Sequence, residues 1–186
     1  LFQELGYNIS SPVPSLFTFN IPQDNITKLM GVVVENASAK VKGLKLKQNG
    51  PILITHWGLS GPCILKLSSW GAKDLSDLDY HFTAQINWLS ENEEFVRAEI
   101  SKQLSSNKNI YNSNIFSLPK RLWHHILEKV KIDELQKWNF LNKKLRNKLI
   151  NTLVNDEFTI NGKTTFKEEF VTCGGITLDQ INMTTM

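Results

Sequence analysis

The sequence predicts an α+β fold, a small β-barrel or sandwich that is interrupted by a helical subdomain. Three observations predict this class. Short β-branched and alternating segments fill the first half of the chain, a region with helical periodicity follows between Ser90 and Asn155, and strand-like segments then return. Strands that resume after a run of helices favour one sheet with a helical insertion, and we expect the barrel.

The predicted strands of the first half are short and sit between turn residues. "PSLFTF" lies between prolines, "MGVVVEN" is β-branched, and "GLKLK" alternates apolar and basic residues before a turn at Asn49-Gly50. The clearest strand is "YHFTAQINWL", in which apolar and polar side chains alternate. Its predicted core face consists of Tyr80, Phe82, Ala84, Ile86 and Trp88.

Three helices are predicted after this strand. Ser90 and Glu93 have the spacing of a capping box, and they precede an apolar stripe of period four. Pro119 suits the first turn of the second helix, and "KKLRNKLINTLV" repeats the stripe. The stripe residues are Val96, Ile100 and Leu104, then Leu122, Ile126 and Val130, then Leu145, Leu149 and Leu153.

The last part of the chain returns to strands. "EFTI", a turn at Asn161-Gly162 and "TTFKEEFVT" have the pattern of a β-hairpin. We therefore divide the chain into residues 1–89, the first part of the barrel; residues 90–155, the helical subdomain; and residues 156–186, the closing strands and a return segment.

Composition excludes several classes of protein. The chain has 186 residues, 41% of them apolar, and its 21 basic and 18 acidic residues give a net charge of only +3. Because the lysines are spread among acids, no nucleic-acid partner is expected on charge alone. Two cysteines cannot form a disulfide scaffold, no cluster has zinc-ligand spacing, and no apolar run could span a membrane or serve as a signal peptide. A cytoplasmic protein without a bound metal is expected.

The stretch "THWGLSGPCIL", residues 55–65, combines a histidine and a serine with two glycines. A hydrolase elbow needs Gly-x-Ser-x-Gly, but Pro62 stands where the second glycine is required. We instead predict that Ser60 is the N-cap of a short helix with Pro62 in its first turn, and a strand over "CILKLSS" is the alternative. His56 lies at a strand end, where sites are often built, and is a candidate for direct chemistry.

Two further motifs carry weaker signals. His124 and His125 are adjacent on a predicted helix, so their side chains point in different directions and do not suggest a joint metal site. "TCGGI", residues 172–176, has a double glycine that allows close approach of a ligand or a tight turn. The chain contains no G-x-G-x-x-G or P-loop sequence, so it has no nucleotide cradle of its own.

Four segments together resemble one known family. "LGYNISSPVPSLFTF", "ILITHWGLSGPCILKLSS", "LPKRLW" and "FVTCGGITLDQINMTTM" occur in the order found in the middle region of BaiN-like, aminoacetone-oxidase-type NAD(P)/FAD-dependent flavoproteins. In that family a β-barrel with a helical subdomain is inserted into an FAD-binding domain. The resemblance implies that this chain is the bacterial insert domain of such an oxidoreductase, inactive alone, and that the FAD-binding domain of the same parent chain is its partner.

The resemblance also implies roles for residues. Thr55, Trp57, Gly58, Ser60 and Gly61 would face the flavin and a small-molecule substrate, and His56 would orient the substrate or relay a proton. FAD would be bound in the full-length protein, with NAD(P)H as a reductant and no cofactor on this chain alone. Weaker contacts to the cofactor are implied for Thr172, Gly174 and Gly175. The alternative is a small barrel that docks protein or RNA.

Overall fold

The computed structural model describes residues 2–164 and 171–185, which form a mixed structure of antiparallel strands and helices. The strands are β1 Ile9–Ser15, β2 Thr18–Asn20, β3 Val33–Val41, β4 Lys47–Ile54, β5 Gly58–Ser60, β6 His81–Asn87, β7 Asp156–Asn161, β8 Lys163–Thr164 and β9 Val171–Ile176. The helices are α1 Pro62–Trp70, α2 Ala72–Asp77, α3 Glu93–Gln103, α4 Lys120–Val130 and α5 Lys143–Val154. Short 3₁₀ segments occupy Asn25–Leu29, Trp138–Phe140 and Leu178–Gln180.

Seven strands form one antiparallel sheet in the order β7-β6-β3-β4-β5-β2-β8. Its two edge strands, β7 and β8, follow each other in the chain with only Gly162 between them. The sheet therefore curls until its edges approach. Backbone hydrogen bonds from Asn20 N to Gly162 O and from Gly162 N to Tyr80 O hold this junction. The domain is barrel-like, which confirms the predicted α+β class, although β7 and β8 share no ladder among the described residues.

Strand β6 has the predicted alternation. Phe82, Ala84 and Ile86 of the strand and Trp88 directly after it are buried, and the residues between them are more exposed. Tyr80, predicted on the same face, precedes the strand with a left-handed φ of 57° and is only partly buried. Full burial of an aromatic or branched side chain contributes about 1.5–3 kcal/mol, so this face anchors the sheet. Helix α1 covers the sheet from one side through buried Ile64 and Leu67.

Helices α3, α4 and α5 lie between β6 and β7 in the chain and share the core of the sheet. The predicted stripe of α4 is buried at Leu122, Ile126 and Val130. The indole Nε1–H of buried Trp123 donates to the carbonyl of Ile110 at 3.2 Å, which fixes the preceding loop against α4. At the junction with the sheet, Trp88 N donates to Leu153 O at 2.9 Å.

The remaining two strands form a separate ribbon from the two ends of the described chain. Strand β1 pairs antiparallel with β9, from Ile9 opposite Ile176 to Ser15 opposite Val171. A bulge interrupts the register between Ser10 and Val13. Strand β1 of the ribbon packs against α1 and α2, so the ribbon is in contact with the rest of the domain.

One predicted turn and one predicted strand in the first half are wrong. Asn49 and Gly50 lie inside β4, where they pair with Ser38 and Ala37. The actual turn is around Gly43, six residues before Asn49, within the segment predicted as the strand "GLKLK". The positive φ of Gly43, 86°, supplies the sharp turn there, and the partners of Asn49 on β3 override its local turn preference.

Two further local predictions are also wrong. Helix α3 begins at Glu93, and its N-cap is Asn92, whose side chain accepts a hydrogen bond from Phe95 N at 2.8 Å. Ser90, the predicted cap, lies in the preceding loop with a left-handed φ of 55°, whereas an N-cap residue has an extended backbone. The Asn161-Gly162 turn does not close a hairpin, since β8 pairs with β2 across the barrel junction. The predicted second strand "TTFKEEFVT" falls largely on residues 165–170, outside the described part.

Candidate functional site

The predicted site loop is a tight turn between β4 and β5. Thr55 N donates to Gly58 O at 2.8 Å, and Gly58 N donates to the Thr55 hydroxyl at 3.1 Å. The carbonyl of Trp57 accepts from Ile21 N at 2.7 Å, which joins the turn to the segment after β2. Because the Thr55 hydroxyl is engaged inside the turn, its role is to hold the loop in one shape.

His56 occupies the exposed tip of this turn. Its ring packs against the half-buried ring of Trp57, with centroids 3.9 Å apart and planes at 63°. A ring held against a neighbouring aromatic loses little further freedom on meeting a ligand, so His56 is presented to the outside in a defined direction.

The two glycines of the loop have packing roles. A Cβ on Gly58, whose φ is 153°, would lie 2.1 Å from Phe19 O and 2.9 Å from Ile21 N. A Cβ on Gly61, whose φ is 92°, would lie 2.8 Å from Leu53 N. Glycine at both positions allows neighbouring strands to approach closely. This packing accounts for the two glycines, and no ligand is needed to explain them.

The prediction that Ser60 caps helix α1 is wrong. Ser60 is the last residue of β5 and pairs with Leu53, while Gly61 takes the N-cap position and Pro62 the first helical position. The strand pairing holds the Ser60 backbone extended, so the chain turns one residue later, where glycine tolerates the positive φ. The predicted helix over "CILKLSS" is confirmed, and its N-terminus has no side-chain cap.

The double glycine lies on the terminal ribbon. A Cβ on Gly174 would lie 2.8 Å from both Pro12 Cα and Ser11 O, whereas a Cβ on Gly175 would meet nothing within 4 Å. Gly175 borders a hollow of about 600 Å³ at the end of the ribbon, and Lys73 lines the same hollow. Gly174 thus allows the ribbon to form, and Gly175 leaves backbone open at its surface.

The sequence-predicted residues fall into two groups on different sheets. Residues 55–61 form one continuous turn and strand of the barrel-like sheet. Thr172, Gly174 and Gly175 lie on β9 of the ribbon, where Thr172 is exposed and pairs with Pro14.

A polar groove that sequence reasoning missed lies between the first 3₁₀ segment and α4. Its volume is about 620 Å³, and Asp24, Arg121, His124 and His125 line it. Arg121 donates to Lys28 O at 2.8 Å, which ties α4 to the 3₁₀ segment. The rings of His124 and Tyr111 pack against each other, with their centroids 4.0 Å apart and their planes at 31°. Burial, with the Lys129 charge as a second cause, lowers the pKa of His125.

Next to this groove lies a buried ion pair. Asp156, the first residue of β7, is only 3% exposed. Lys129 Nζ donates to Asp156 Oδ1 at 2.6 Å, and Trp88 Nε1 donates to Oδ2 at 3.0 Å. Burial raises the pKa of Asp156, and the Lys129 charge opposes that shift. The cluster joins α4, β6 and β7, and none of the groups in the described ranges 2–164 and 171–185 has a metal-binding arrangement.

The two cysteines have different surroundings. Cys63 is completely buried, and burial raises the pKa of its thiol to about 11. Cys173 on β9 is partly exposed. We expect Cys173 alone to react with a disulfide reagent in the native protein near pH 8, and Cys63 only after unfolding, because the thiolate is the reacting form. Thiol titration with Ellman's reagent measures this, and two thiols reacting at the same fast rate in the native protein would contradict it.

These features define a class of protein: a barrel-like domain with a helical insertion, whose first and last strands pair and whose exposed turn carries a histidine. The chain belongs to the family described as "HI0933-like protein barrel and H2TH domain", the insert domain of HI0933-like and BaiN-like flavoproteins. The family model matches residues 13–171. The predicted family is therefore confirmed.

One curated relative is also similar. The chain is 25% identical over 188 residues to a ribosomal RNA dihydrouridine synthase of Escherichia coli (strain K12). The match covers 99% of this chain and 44% of the relative, so the chain spans less than half of that protein. Among the helices the structure describes, none has the length and apolar character needed to cross a bilayer.

Proposed function

We propose that this chain is the insert domain of an FAD-dependent oxidoreductase, inactive alone, which covers a cleft for flavin and substrate. The observation that carries the proposal is the pairing of β1 with β9. A chain that enters through β1 and leaves through β9 crosses one narrow ribbon, which is the geometry that a domain inserted into another domain requires. The family match to a flavoprotein insert domain supports the same reading. On this proposal, residues 1–89 and 156–186 flank a helical subdomain of residues 90–155.

On this proposal, the β1–β9 ribbon contacts one edge of the flavin and does not bind the whole cofactor. Gly175 leaves backbone open beside a hollow that Lys73 also lines, so a flat ring or an anionic group could approach there. No glycine-rich phosphate cradle occurs in the sequence. We therefore assign Thr172, Gly174 and Gly175 to a weak contact with FAD, while the partner domain of the parent chain holds the rest. FAD, when bound, supplies two-electron hydride chemistry, with NAD(P)H as the reductant.

The turn of residues 55–61 is proposed as the substrate side of that cleft. Its hydrogen bonds keep it rigid, and His56 at its tip is the side chain best presented to a ligand. Histidine is the side chain most often used as a general acid, so His56 is our candidate for donating a proton to the substrate and recovering one from water. The other residues of the turn and of β5 hold this donor in place: Thr55, Trp57, Gly58, Ser60 and Gly61.

We further propose that the substrate is a uridine of an RNA. The specific observation is that a relative similar over nearly the whole of this chain is a ribosomal RNA dihydrouridine synthase. Conversion of uridine to dihydrouridine adds one hydride and one proton across the C5–C6 double bond of the ring. NAD(P)H is the chemical class that supplies the two electrons, and His56 is our candidate for supplying the proton.

The test uses the full-length protein that contains this chain. We expect it to carry FAD absorbance, to be reduced by NAD(P)H, and to form dihydrouridine in RNA. His56→Ala is expected to leave reduction by NAD(P)H unchanged and to slow product formation about 100-fold, the usual contribution of a positioned acid. His81→Ala is the matched control, because His81 is an exposed histidine on β6.

The outcomes separate the parts of the proposal. A colourless protein that binds no flavin would leave the alternative, a barrel that docks protein or RNA. A flavoprotein that reduces only small molecules would remove the RNA substrate. If His56→Ala and His81→Ala form product at the wild-type rate, His56 is not the proton donor.

A further inference from the structure

The positive charge of this chain is concentrated on one part of the helical region. Residues 129–148, which run from the end of α4 to the middle of α5, contain seven basic and two acidic residues. Their formal charge exceeds the +3 of the whole chain, so the other residues together are net acidic. An even spread of charge argued against a nucleic-acid partner, and this segment departs from it.

Within the segment, we give the name basic helix surface to four residues that fall within positions 137–144: Lys137, Phe140, Lys143 and Lys144. Phe140 is 71% exposed, which is unusual for a phenylalanine, and Lys143 and Lys144 are also exposed. In the part of the chain that the structure describes, no ion pair involves these three lysines. Their charges are therefore available to a partner.

The position of two of these lysines does not favour the fold. Lys143 and Lys144 occupy the first turn of α5, where the helix dipole is positive and cations are disfavoured. Helix α3 follows the favourable rule, with Glu93 and Glu94 in its first turn. Backbone N–H groups at a helix N-terminus and two cations together attract an anion. A local arrangement that opposes stability is expected where a protein uses it for function.

We propose that the basic helix surface binds single-stranded RNA, with Lys137, Lys143 and Lys144 contacting phosphates and Phe140 stacking on a base. Cations that follow a backbone, next to an exposed aromatic ring, are the two elements by which proteins bind single strands. This inference rests on the proposed RNA substrate and adds the surface that recognises it. The surface holds the strand, while the turn at His56 acts on one base.

A rival basic cluster provides the matched control. Three exposed lysines surround the β3–β4 turn, and no aromatic residue lies among them: Lys40 near the end of β3, Lys45 in the turn and Lys47 at the start of β4. This turn lies beside Thr83 near the start of β6, since Lys42 N donates to Thr83 O. Helix α5 meets the other end of β6 at Trp88. Lys143 and Lys144 are in the first turn of α5 and Lys137 precedes the 3₁₀ segment Trp138–Phe140, so the two sets of lysines lie on different elements of the fold. Replacing either set of three lysines changes the charge equally.

The experiment measures binding of a labelled uridine-rich single strand to the full-length protein by fluorescence anisotropy, over a range of salt concentrations and without NAD(P)H. We expect Lys137→Gln/Lys143→Gln/Lys144→Gln to weaken binding tenfold or more and to reduce the salt slope by about 2, as loss of three phosphate contacts requires. Lys40→Gln/Lys45→Gln/Lys47→Gln should change binding much less. Phe140→Ala should weaken binding of single strands roughly fivefold or more and of duplex RNA little.

A merely structural role is excluded by a second readout. The melting temperature of the Lys137, Lys143 and Lys144 variant should stay the same or rise, because two cations leave the positive end of a helix dipole. Equal loss of RNA affinity in both triple variants would show diffuse attraction and overturn the proposal. Binding of phosphatidylserine vesicles through the same lysines, without RNA binding, would overturn it in favour of a membrane surface.

Failure here and failure of the proposed function are distinguishable. If RNA is reduced to dihydrouridine but the triple variant has unchanged RNA affinity and KM, the basic helix surface is not the binding site and the activity stands. If RNA binding depends on these lysines but no dihydrouridine forms, the surface stands and the activity assigned to the parent protein is wrong.

Discussion

Gly58→Ala is expected to destabilise the fold by about 4 kcal/mol or more, at the upper end of what one substitution does. The added methyl group would lie 2.1 Å from Phe19 O and 2.9 Å from Ile21 N, both backbone atoms of a neighbouring strand segment. Strands β2 and β5 would have to separate, because backbone atoms cannot turn aside as a side chain can. Urea unfolding monitored by tryptophan fluorescence measures the change, and a loss of soluble protein on expression is the extreme form of the same result.

Gly43→Ala is the matched control for this prediction. Gly43 also has a positive φ, 86°, but a Cβ there meets nothing within 4 Å. The cost is then backbone strain alone, about 1 kcal/mol. If both variants lose the same stability, positive φ alone accounts for Gly58, and the close approach of β2 and β5 contributes nothing.

Lys129→Met is expected to cost about 2 kcal/mol at neutral pH and less in acid. The substitution leaves Asp156 buried without its countercharge. Removing one partner of a buried ion pair destabilises a protein more than replacing both partners by apolar residues. The value lies below the range for fully buried pairs because the Lys129 side chain is 33% exposed.

The pH dependence gives this prediction its sign. Burial raises the folded-state pKa of Asp156, so between about pH 4 and that pKa the folded chain holds a proton that the unfolded chain has lost. Stability therefore falls as pH rises through this window. Removing Lys129, which opposes the shift, extends the window upward. The difference in unfolding free energy between variant and wild type should grow from pH 4 to pH 7.

The adjacent carboxylate offers a control for Lys129→Met. Glu157 pairs with Lys42 at 2.9 Å, but both side chains are about half exposed. Lys42→Met should cost between 0 and about 1 kcal/mol, the usual value of a surface pair. A Lys129→Met variant with the same small cost and a flat pH profile would mean that Asp156 reaches solvent or another partner when Lys129 is removed.

The elements that the sequence predicts well are those with long, regular periodicity. Strand β6 alternates over seven residues, and α4 has an apolar stripe at period four, so each side chain reports the face on which it lies. Turn residues predict less. Asn49-Gly50 and Asn161-Gly162 both have hairpin sequences, yet one lies inside β4 and the other joins the two edges of a curled sheet. Partners distant in sequence decided both cases.

The candidate site divides in the same way. The exposed turn of residues 55–61 is visible in sequence because its glycines, histidine and serine are contiguous. Asp156 has no local signal, since its partners Trp88 and Lys129 come from other elements of the fold. Ser60 resembles a helix cap in sequence because it precedes Gly-Pro, and only its pairing with Leu53 shows that it belongs to the strand.

The paired strands β1 and β9 also change the entropy of any chain that continues through them. Between Ser15 and Val171 the polypeptide makes an excursion of more than 150 residues and returns to its starting point. Once this domain has folded, the flanking segments meet as if a short turn joined them. By the logarithmic dependence of loop closure on length, the saving is about 3 kcal/mol for whatever those segments form. On the function proposed above, folding of this domain is thus expected to precede, and to make easier, the joining of the two segments that flank it.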